Sequence, residues 1–153
     1  MITGLAHLSF TVSDLDRSLR FYRDLMGFKV DFVVERSGPV TEAIVGIVGV
    51  KLRIGMLSLN GFLLELIQYL SPAGEKLDLR VNSVGCSHIA LYVEELERVY
   101  GTLVTKGVSF RSKPNLIRDG PMAGWKVVYM ADPDGIILEL MQKPNAGLRP
   151  QPN

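Results

Sequence analysis

The sequence predicts an α+β fold of two tandem modules, each with the order strand, helix, strand, strand, strand. Residues 61–68 reappear in similar form as residues 135–142, and both are apolar, β-prone runs entered through a turn that contains glycine. A second pair of similar runs, 7–12 and 88–93, each begins with a histidine. A shift of 74 residues aligns the first pair and a shift of 81 aligns the second, so the later module is shorter in its middle. Because a module this small leaves one sheet face uncovered, we expect the two modules to pair, within one chain or between chains.

The first half contains four predicted strands and one predicted helix. A capping-box pattern at 13–16 predicts the start of the helix, apolar residues follow at helical spacing, and Gly27 is placed as its C-cap. Segment 36–50 has no clean hydrophobic period and is interpreted as a flap or short helix over a cavity, or as a loop packed on the surface. An Asn-Gly turn predicts that the last two strands form a hairpin. The predicted strands are 5–12, 28–35, 52–59 and 62–69.

The second half repeats this plan after a segment rich in charge, proline and glycine. The predicted helix is 95–106, capped by Gly107, and a loop with prolines and glycines separates the second strand from the third. The predicted strands are 86–93, 108–111, 125–131 and 136–142. All of this is expected to form one domain, with module one at 3–70, a linker at 71–83, module two at 84–143 and a flexible tail at 144–153.

Composition restricts the function without identifying it. The chain has 153 residues, of which 47% are hydrophobic, so it is able to bury a core. A net charge of +1 gives no reason to expect nucleic acid or an anionic membrane as a partner. Cys86 stands alone, which excludes an internal disulfide and favours the cytoplasm, and no run is apolar and long enough for a signal peptide or a membrane span.

The repeated runs carry the candidate site. In 62–67 the even-numbered residues are expected to face the helix, which leaves Glu65 on the opposite face, and the same alternation places Glu139 there in the second half. The two histidines of the chain, His7 and His88, begin the strands expected to lie nearby. Taken singly, each histidine is more often a hydrogen-bonded core residue and each glutamate a solvent-facing one. Four at equivalent repeat positions favour a ligand set of two imidazoles and two carboxylates, which suits one divalent ion such as Ni, Co, Fe, Mn or Zn.

Four further side chains are of types that could contact a substrate. Tyr92 and Trp125 are expected to serve packing rather than substrate stacking. Arg53 and Lys126 are candidates for binding an anionic substrate, but exposed strand positions are the favoured interpretation of both.

At these motifs the chain resembles the vicinal oxygen chelate superfamily, which includes glyoxalase I, methylmalonyl-CoA epimerase, fosfomycin-resistance enzymes, extradiol dioxygenases and bleomycin-resistance proteins. The resemblance implies two paired βαβββ modules that form an eight-stranded, partly open barrel around one metal ion. The ligand order His, Glu, His, Glu is that of bacterial-type glyoxalase I, whereas methylmalonyl-CoA epimerases typically have Gln at the position of Glu65. The motifs that carry the resemblance are 7–28, 63–67, 88–93 and 132–140.

The resemblance implies a metal-dependent isomerase or lyase that acts on a small substrate with two neighbouring oxygens. The metal would stabilise an enediolate, and Glu139 or Glu65 would carry the α-proton. A lactoylglutathione lyase is the first expectation and an acyl-CoA epimerase of the methylmalonyl-CoA type the second. A metal-free binding protein of the bleomycin-resistance type and a thiol transferase of the fosfomycin-resistance type are the rival interpretations. The expected partners are a small-molecule substrate and a second copy of the chain in a homodimer.

Overall fold

The chain divides into two compact units, which correspond to the two repeats. The computed structural model of the protein describes residues 1–144, and the units are Met1–Leu77 and Asp78–Asn153. Their boundary falls inside segment 71–83, the predicted linker, which is exposed over most of its length. That the two units form one domain stays a prediction. The predicted flexible tail lies outside the described residues except for Pro144.

The first unit contains one four-stranded sheet with two helices. The strand order is β1-β4-β3-β2, in which β1 pairs with β4 in parallel and the other neighbours are antiparallel. The predicted order of strands and helix is confirmed. The segment between β2 and β3 is a short helix, one of the forms expected there, and it buries none of its residues. The elements are β1 (Leu8–Thr11), α1 (Leu15–Asp24), β2 (Lys29–Ser37), α2 (Pro39–Val45), β3 (Lys51–Leu59) and β4 (Phe62–Ser71).

The second unit repeats the topology of the first. Its five-stranded sheet has the order β5-β9-β8-β6, again with the first and last strands parallel, and the fifth strand, β7, pairs with β8. The sequence predicts a loop where β7 lies, and that prediction is wrong. A strand of two residues is too short to show a hydrophobic period, so the sequence does not reveal it. The elements are β5 (His88–Tyr92), α3 (Leu96–Thr105), β6 (Ser109–Phe110), β7 (Asn115–Leu116), β8 (Lys126–Ala131) and β9 (Ile137–Gln142).

The start of helix α1 differs from the predicted capping box by one residue. The N-cap is Asp14, whose Oδ1 accepts a hydrogen bond from the backbone N–H of Arg17 at 2.9 Å. An N-cap side chain accepts a hydrogen bond from the backbone N–H two or three residues later, as Asp14 does here. The cap is therefore Asp14 and not Ser13. The helix ends at Asp24 with Leu25 as its C-cap, so the prediction of Gly27 as the cap is wrong. Gly27 lies two residues after the cap, where its φ of 77° turns the chain toward β2. Within residues 1–144, no helix is long and apolar enough to cross a membrane.

The repeated strands bury leucines on the face opposite the glutamates. On β4, Leu64 and Leu66 are fully buried under α1, while Glu65 between them is only half-buried. On β9, Leu138 and Leu140 are buried too, but Ile137, on the face of Glu139, is only 2% exposed. The predicted alternation is therefore confirmed on β4, and on β9 the face of Glu139 is closed at its first residue.

A glutamine at the end of each repeated strand holds the start of the neighbouring helix. Gln68 accepts a hydrogen bond through Oε1 from the backbone N–H of Leu15 at 3.1 Å, and its Nε2 donates to the carbonyl of Ser13. Gln142 accepts the equivalent bond from Leu96 at 2.8 Å. These amides belong to the first turns of α1 and α3, where helix geometry leaves the N–H groups without a partner. Each glutamine thus fixes the helix to the strand that carries the candidate glutamate.

Replacing Gln142 or Gln68 with alanine is expected to destabilise the protein. Each substitution leaves a partly buried helix amide without its acceptor, which costs about 1–3 kcal/mol. The measurement is the free energy of unfolding in urea.

Glutamate at the same positions is the matched control. It keeps an acceptor oxygen and places a negative charge at a helix N-terminus, so Gln142→Glu and Gln68→Glu should retain most of the stability that the alanine variants lose. Equal losses for alanine and glutamate would contradict the capping role.

Candidate metal site

In the first unit, strand pairing brings His7 next to Glu65. Strand β1 runs parallel to β4 with Ser9 opposite Glu65. The strand predicted over 5–12 begins only at Leu8, so His7 immediately precedes β1, two residues before Ser9. Its Nε2 is 3.5 Å from Oε2 of Glu65. The candidate histidine and glutamate of the first repeat are thus adjacent.

The second unit builds the same pair. Strand β5 runs parallel to β9 with Ala90 opposite Glu139, and His88 is again two residues before the paired position. The Nε2 of His88 lies 3.3 Å from Oε2 of Glu139. The equivalence seen in the sequence is therefore also an equivalence of geometry within each unit.

The separations within both pairs suit two ligands of one metal ion. At 3.5 and 3.3 Å they are longer than the usual N–H···O hydrogen bond. Two donors, each about 2.1 Å from an ion, are about 3.0–3.5 Å apart when they occupy neighbouring coordination positions. A neutral imidazole nitrogen and a carboxylate oxygen are also the donor types that borderline divalent ions bind. The donor set therefore fits such an ion.

Burial distinguishes the two members of each pair. The side chains of His7 and His88 are 39% and 42% exposed, whereas those of Glu65 and Glu139 are 16% and 13% exposed. A carboxylate withdrawn this far from water needs a cationic or hydrogen-bonding partner. In the described part of the chain, no group of three or more His, Cys, Asp or Glu side chains is placed to hold a metal. Each unit thus supplies two ligands, and a joint four-ligand set stays a prediction.

The surroundings of the two glutamates are not the same. Tyr129 of β8 lies opposite Glu139, and its ring meets the His88 ring edge-on with centroids 5.2 Å apart. Burial raises the pKa of the Tyr129 hydroxyl, and the nearby charge of Glu139 raises it further. In the first unit the residue opposite Glu65 is Met56. Sequence reasoning did not identify Tyr129, because only the strand register shows which residue faces the glutamate.

Arg53 and Lys126, the sequence candidates for anion binding, each pair with an acid in the first turn of a helix. Arg53 makes two hydrogen bonds to Asp16, at 2.9 and 3.1 Å, and Lys126 bonds to Glu97 at 2.5 Å. The Arg53 guanidinium lowers the pKa of the Asp16 carboxyl, and Lys126 lowers the pKa of Glu97. Both cations are half-buried rather than exposed, and both serve ion pairs between strand and helix.

Tyr92 and Trp125, the two aromatic candidates of the sequence, contact each other. Their ring centroids are 5.9 Å apart, and the ring planes are tilted by 43°. Tyr92 is nevertheless 68% exposed, so this contact lies at a surface and not in a core.

Comparison with known proteins assigns the family. The model of the Glyoxalase/Bleomycin resistance protein/Dioxygenase superfamily matches residues 4–140, which is most of the chain. The chain belongs to this superfamily. Its fold is also that of a glyoxalase family protein from Bacillus cereus, with a TM-score of 0.82, 17% identity and coverage of 95% of this chain and 97% of that one.

Two of its relatives have names that refer to different reactions. A 2-epi-5-epi-valiolone epimerase of an Actinomyces species is 30% identical over 143 residues, which cover 90% of this chain and 78% of that protein. A probable lactoylglutathione lyase of Synechocystis is 32% identical over 142 residues, which cover 90% of this chain and 94% of that protein. Members of the superfamily are commonly enzymes and generally bind a divalent metal ion. The expected family and fold class are thereby confirmed.

The ion pair between Arg53 and Asp16 predicts a pH-dependent effect on stability. The lowered pKa of Asp16 means that its stabilising contribution is present above the ordinary value of 3.8 and is lost as the pH falls through the native value. Arg53→Met, which keeps an apolar stem, should therefore be less stable than the wild type in urea at neutral pH. The difference should disappear in acid and shrink in concentrated salt.

Arg36→Met is the matched control, because Arg36 is exposed and, within residues 1–144, its guanidinium donates to the carbonyl of Glu35 and to no carboxylate. It should unfold like the wild type at every pH. A stability loss in Arg53→Met that does not change between neutral and acid pH would contradict the ion-pair explanation.

Proposed function

We propose that this protein is a metal-dependent isomerase or lyase whose single divalent ion, Ni, Co, Zn, Fe or Mn, is held by His7, Glu65, His88 and Glu139. The observation that supports this proposal is the repeated imidazole–carboxylate pair, with ligand-like separations of 3.5 and 3.3 Å. Each pair alone offers two ligands, fewer than protein metal sites ordinarily use. The two pairs act together, from one chain or from two chains of a homodimer.

The proposed substrate is a small molecule with a carbonyl next to a hydroxyl or a second carbonyl. Two such oxygens would complete the ligands of an ion held by two imidazoles and two carboxylates. When bound, the ion supplies Lewis-acid stabilisation of negative charge that develops on a substrate oxygen. The names of the relatives, an epimerase and a lyase, fit reactions in which a proton next to a carbonyl is removed and returned.

The proton is proposed to move through a glutamate of this chain. A carboxylate oxygen of that glutamate would accept the α-proton and return it to the same or the neighbouring carbon. Glu139 is the better candidate, because it lies opposite Tyr129 and because the position of Glu65 is typically Gln in the methylmalonyl-CoA epimerases that the chain resembles. Glu65 then serves mainly as a ligand.

Loss of either histidine is expected to remove the metal. His7→Ala and His88→Ala should each contain much less divalent metal than the wild type after loading and desalting, as measured by elemental analysis. Added metal should also raise the thermal midpoint of the wild type and of neither variant, because binding at a hundredfold excess over Kd adds about 2.7 kcal/mol of stability.

Cys86→Ser is the control, because Cys86 is the chain's only thiol and lies outside both pairs. It should bind metal like the wild type. If both histidine variants retain the wild-type metal content, the proposed ligand set is wrong.

Replacing the proton carrier with glutamine is expected to reduce turnover far more than metal affinity. Glutamine keeps an oxygen for coordination, but its amide does not accept a proton at neutral pH. Glu139→Gln should lower α-proton exchange into deuterated buffer by about 10²–10⁴-fold, and Glu65→Gln by less. Exchange is followed by NMR with the methylglyoxal–glutathione hemithioacetal and with an α-methyl acyl-CoA.

Metal content is measured on the same samples, so that loss of the base and loss of the ion are separated. Wild-type rates in both variants would exclude a glutamate carrier. No exchange by the metal-loaded wild type with either substrate would exclude both proposed reactions and favour a binding protein.

A further inference from the structure

Three kinds of polar contact recur in both units, whereas a group of side chains in the second unit has no equivalent contact in the first. The histidine–glutamate pairs, the capping glutamines and the strand–helix ion pairs all occur twice. At the end of β5, by contrast, three side chains meet that the first unit does not match. We call them the ring–lysine cluster: Tyr92, Trp125 and Lys143. By the same strand registers, the first unit has Thr11, Leu52 and Tyr69 at these positions.

The cluster offers flat surfaces and a positive charge at one exposed place. Lys143 Nζ lies 4.6 Å from the centroid of the Tyr92 ring, and the Trp125 ring lies beside Tyr92 at 5.9 Å. Tyr92 remains 68% exposed. Within residues 1–144, no carboxylate lies at salt-bridge distance from Lys143, in contrast to Lys126 nearby, which is paired with Glu97. The ammonium group of Lys143 is thus available for an outside anion.

The strand register places this cluster on the same face as the candidate metal pair. Tyr92 is opposite Met141, two residues beyond the pairing of Ala90 with Glu139. Since side chains alternate along a strand, His88 and Tyr92 point to the same side and lie about 13 Å apart. A molecule held at the His88–Glu139 pair and extended along β5 would therefore end at the rings and the ammonium group.

We propose that the ring–lysine cluster binds the far end of the substrate, and that this end is a planar organic anion, a ring that carries a carboxylate or a phosphate. The ring would stack on Tyr92 or Trp125, and the anion would pair with Lys143. This inference rests on the proposed function for its meaning, because it assigns a second contact point to the same substrate. It makes the second unit the one that selects the substrate, while both units supply ligands for the ion.

Trp125 allows a direct test, because it is the only tryptophan of the chain and its fluorescence reports on this cluster alone. The probes are benzoate, the neutral benzyl alcohol and the non-planar cyclohexanecarboxylate, titrated into metal-free protein. Benzoate should quench Trp125 saturably, with a Kd of about a millimolar as expected for so small a ligand. The other two probes should bind several-fold more weakly, because each lacks one of the two contacts.

The variants separate the charge from the rings. Lys143→Gln should weaken benzoate binding about fivefold and leave benzyl alcohol unchanged. Tyr92→Leu should weaken both. Lys106→Gln, an exposed lysine at the end of α3, is the matched control and should behave like the wild type. Equal affinity of wild type and Lys143→Gln for benzoate, or the absence of saturable quenching, would overturn the proposal.

The outcome does not depend on the metal proposal, since the protein is titrated without metal. If benzoate binds saturably but the histidine variants keep their metal, the ring–lysine cluster is supported and the proposed metal ligands are refuted. If the histidine variants lose their metal but benzoate does not bind, the metal ligands are supported and the ring–lysine cluster is refuted.

Discussion

Parallel pairing of the first strand with the last is the constraint on which each unit depends. Antiparallel neighbours can be joined by a tight turn, but two parallel strands need a long crossover, and here the intervening helix and strands provide it. The pairing fixes which residues lie side by side across the two strands. It places His7 beside Glu65 and His88 beside Glu139, although more than fifty residues separate the members of each pair in the sequence. A slip of one residue in either register would turn a histidine to the helix face and separate the pair.

The helices stabilise that register from the other face. Buried leucines on β4 and β9 pack under α1 and α3, and Gln68 and Gln142 tie the first turn of each helix to the end of the same strands. The ion pairs of Arg53 and Lys126 add a second connection between strand and helix. Each glutamate thus lies on a strand that is held by apolar packing on one face and by hydrogen bonds at its end. This support positions each glutamate side chain, while contacts of other residues stabilise the strand that carries it.

Membership of the superfamily explains the fold and the repeat, but it does not select the reaction. Relatives at similar identity have names that refer to an epimerase and to a lyase, so the difference must come from individual side chains and not from the scaffold. The differences between the two units are therefore informative. Tyr129 faces Glu139 where Met56 faces Glu65. The second unit also has Tyr92, Trp125 and Lys143 where the first has Thr11, Leu52 and Tyr69. A repeated scaffold that differs at these points can hold the two ends of an asymmetric substrate differently.

The sequence by itself determined the two-module α+β plan, the alternation of faces on β4, and the candidate residues His7, Glu65, His88 and Glu139, because repeats and a period of two are properties of the chain alone. The tertiary structure decided which residues meet. Only strand register shows that each histidine is next to its own glutamate and that Tyr129 faces one of them. Only the packing of helix on strand shows that Arg53 and Lys126 are neutralised by acids instead of free for a substrate. The glutamines at the ends of the repeats were visible in the sequence, yet their role was not. A capping bond joins groups 53 and 46 residues apart, and no local pattern encodes contacts of that range.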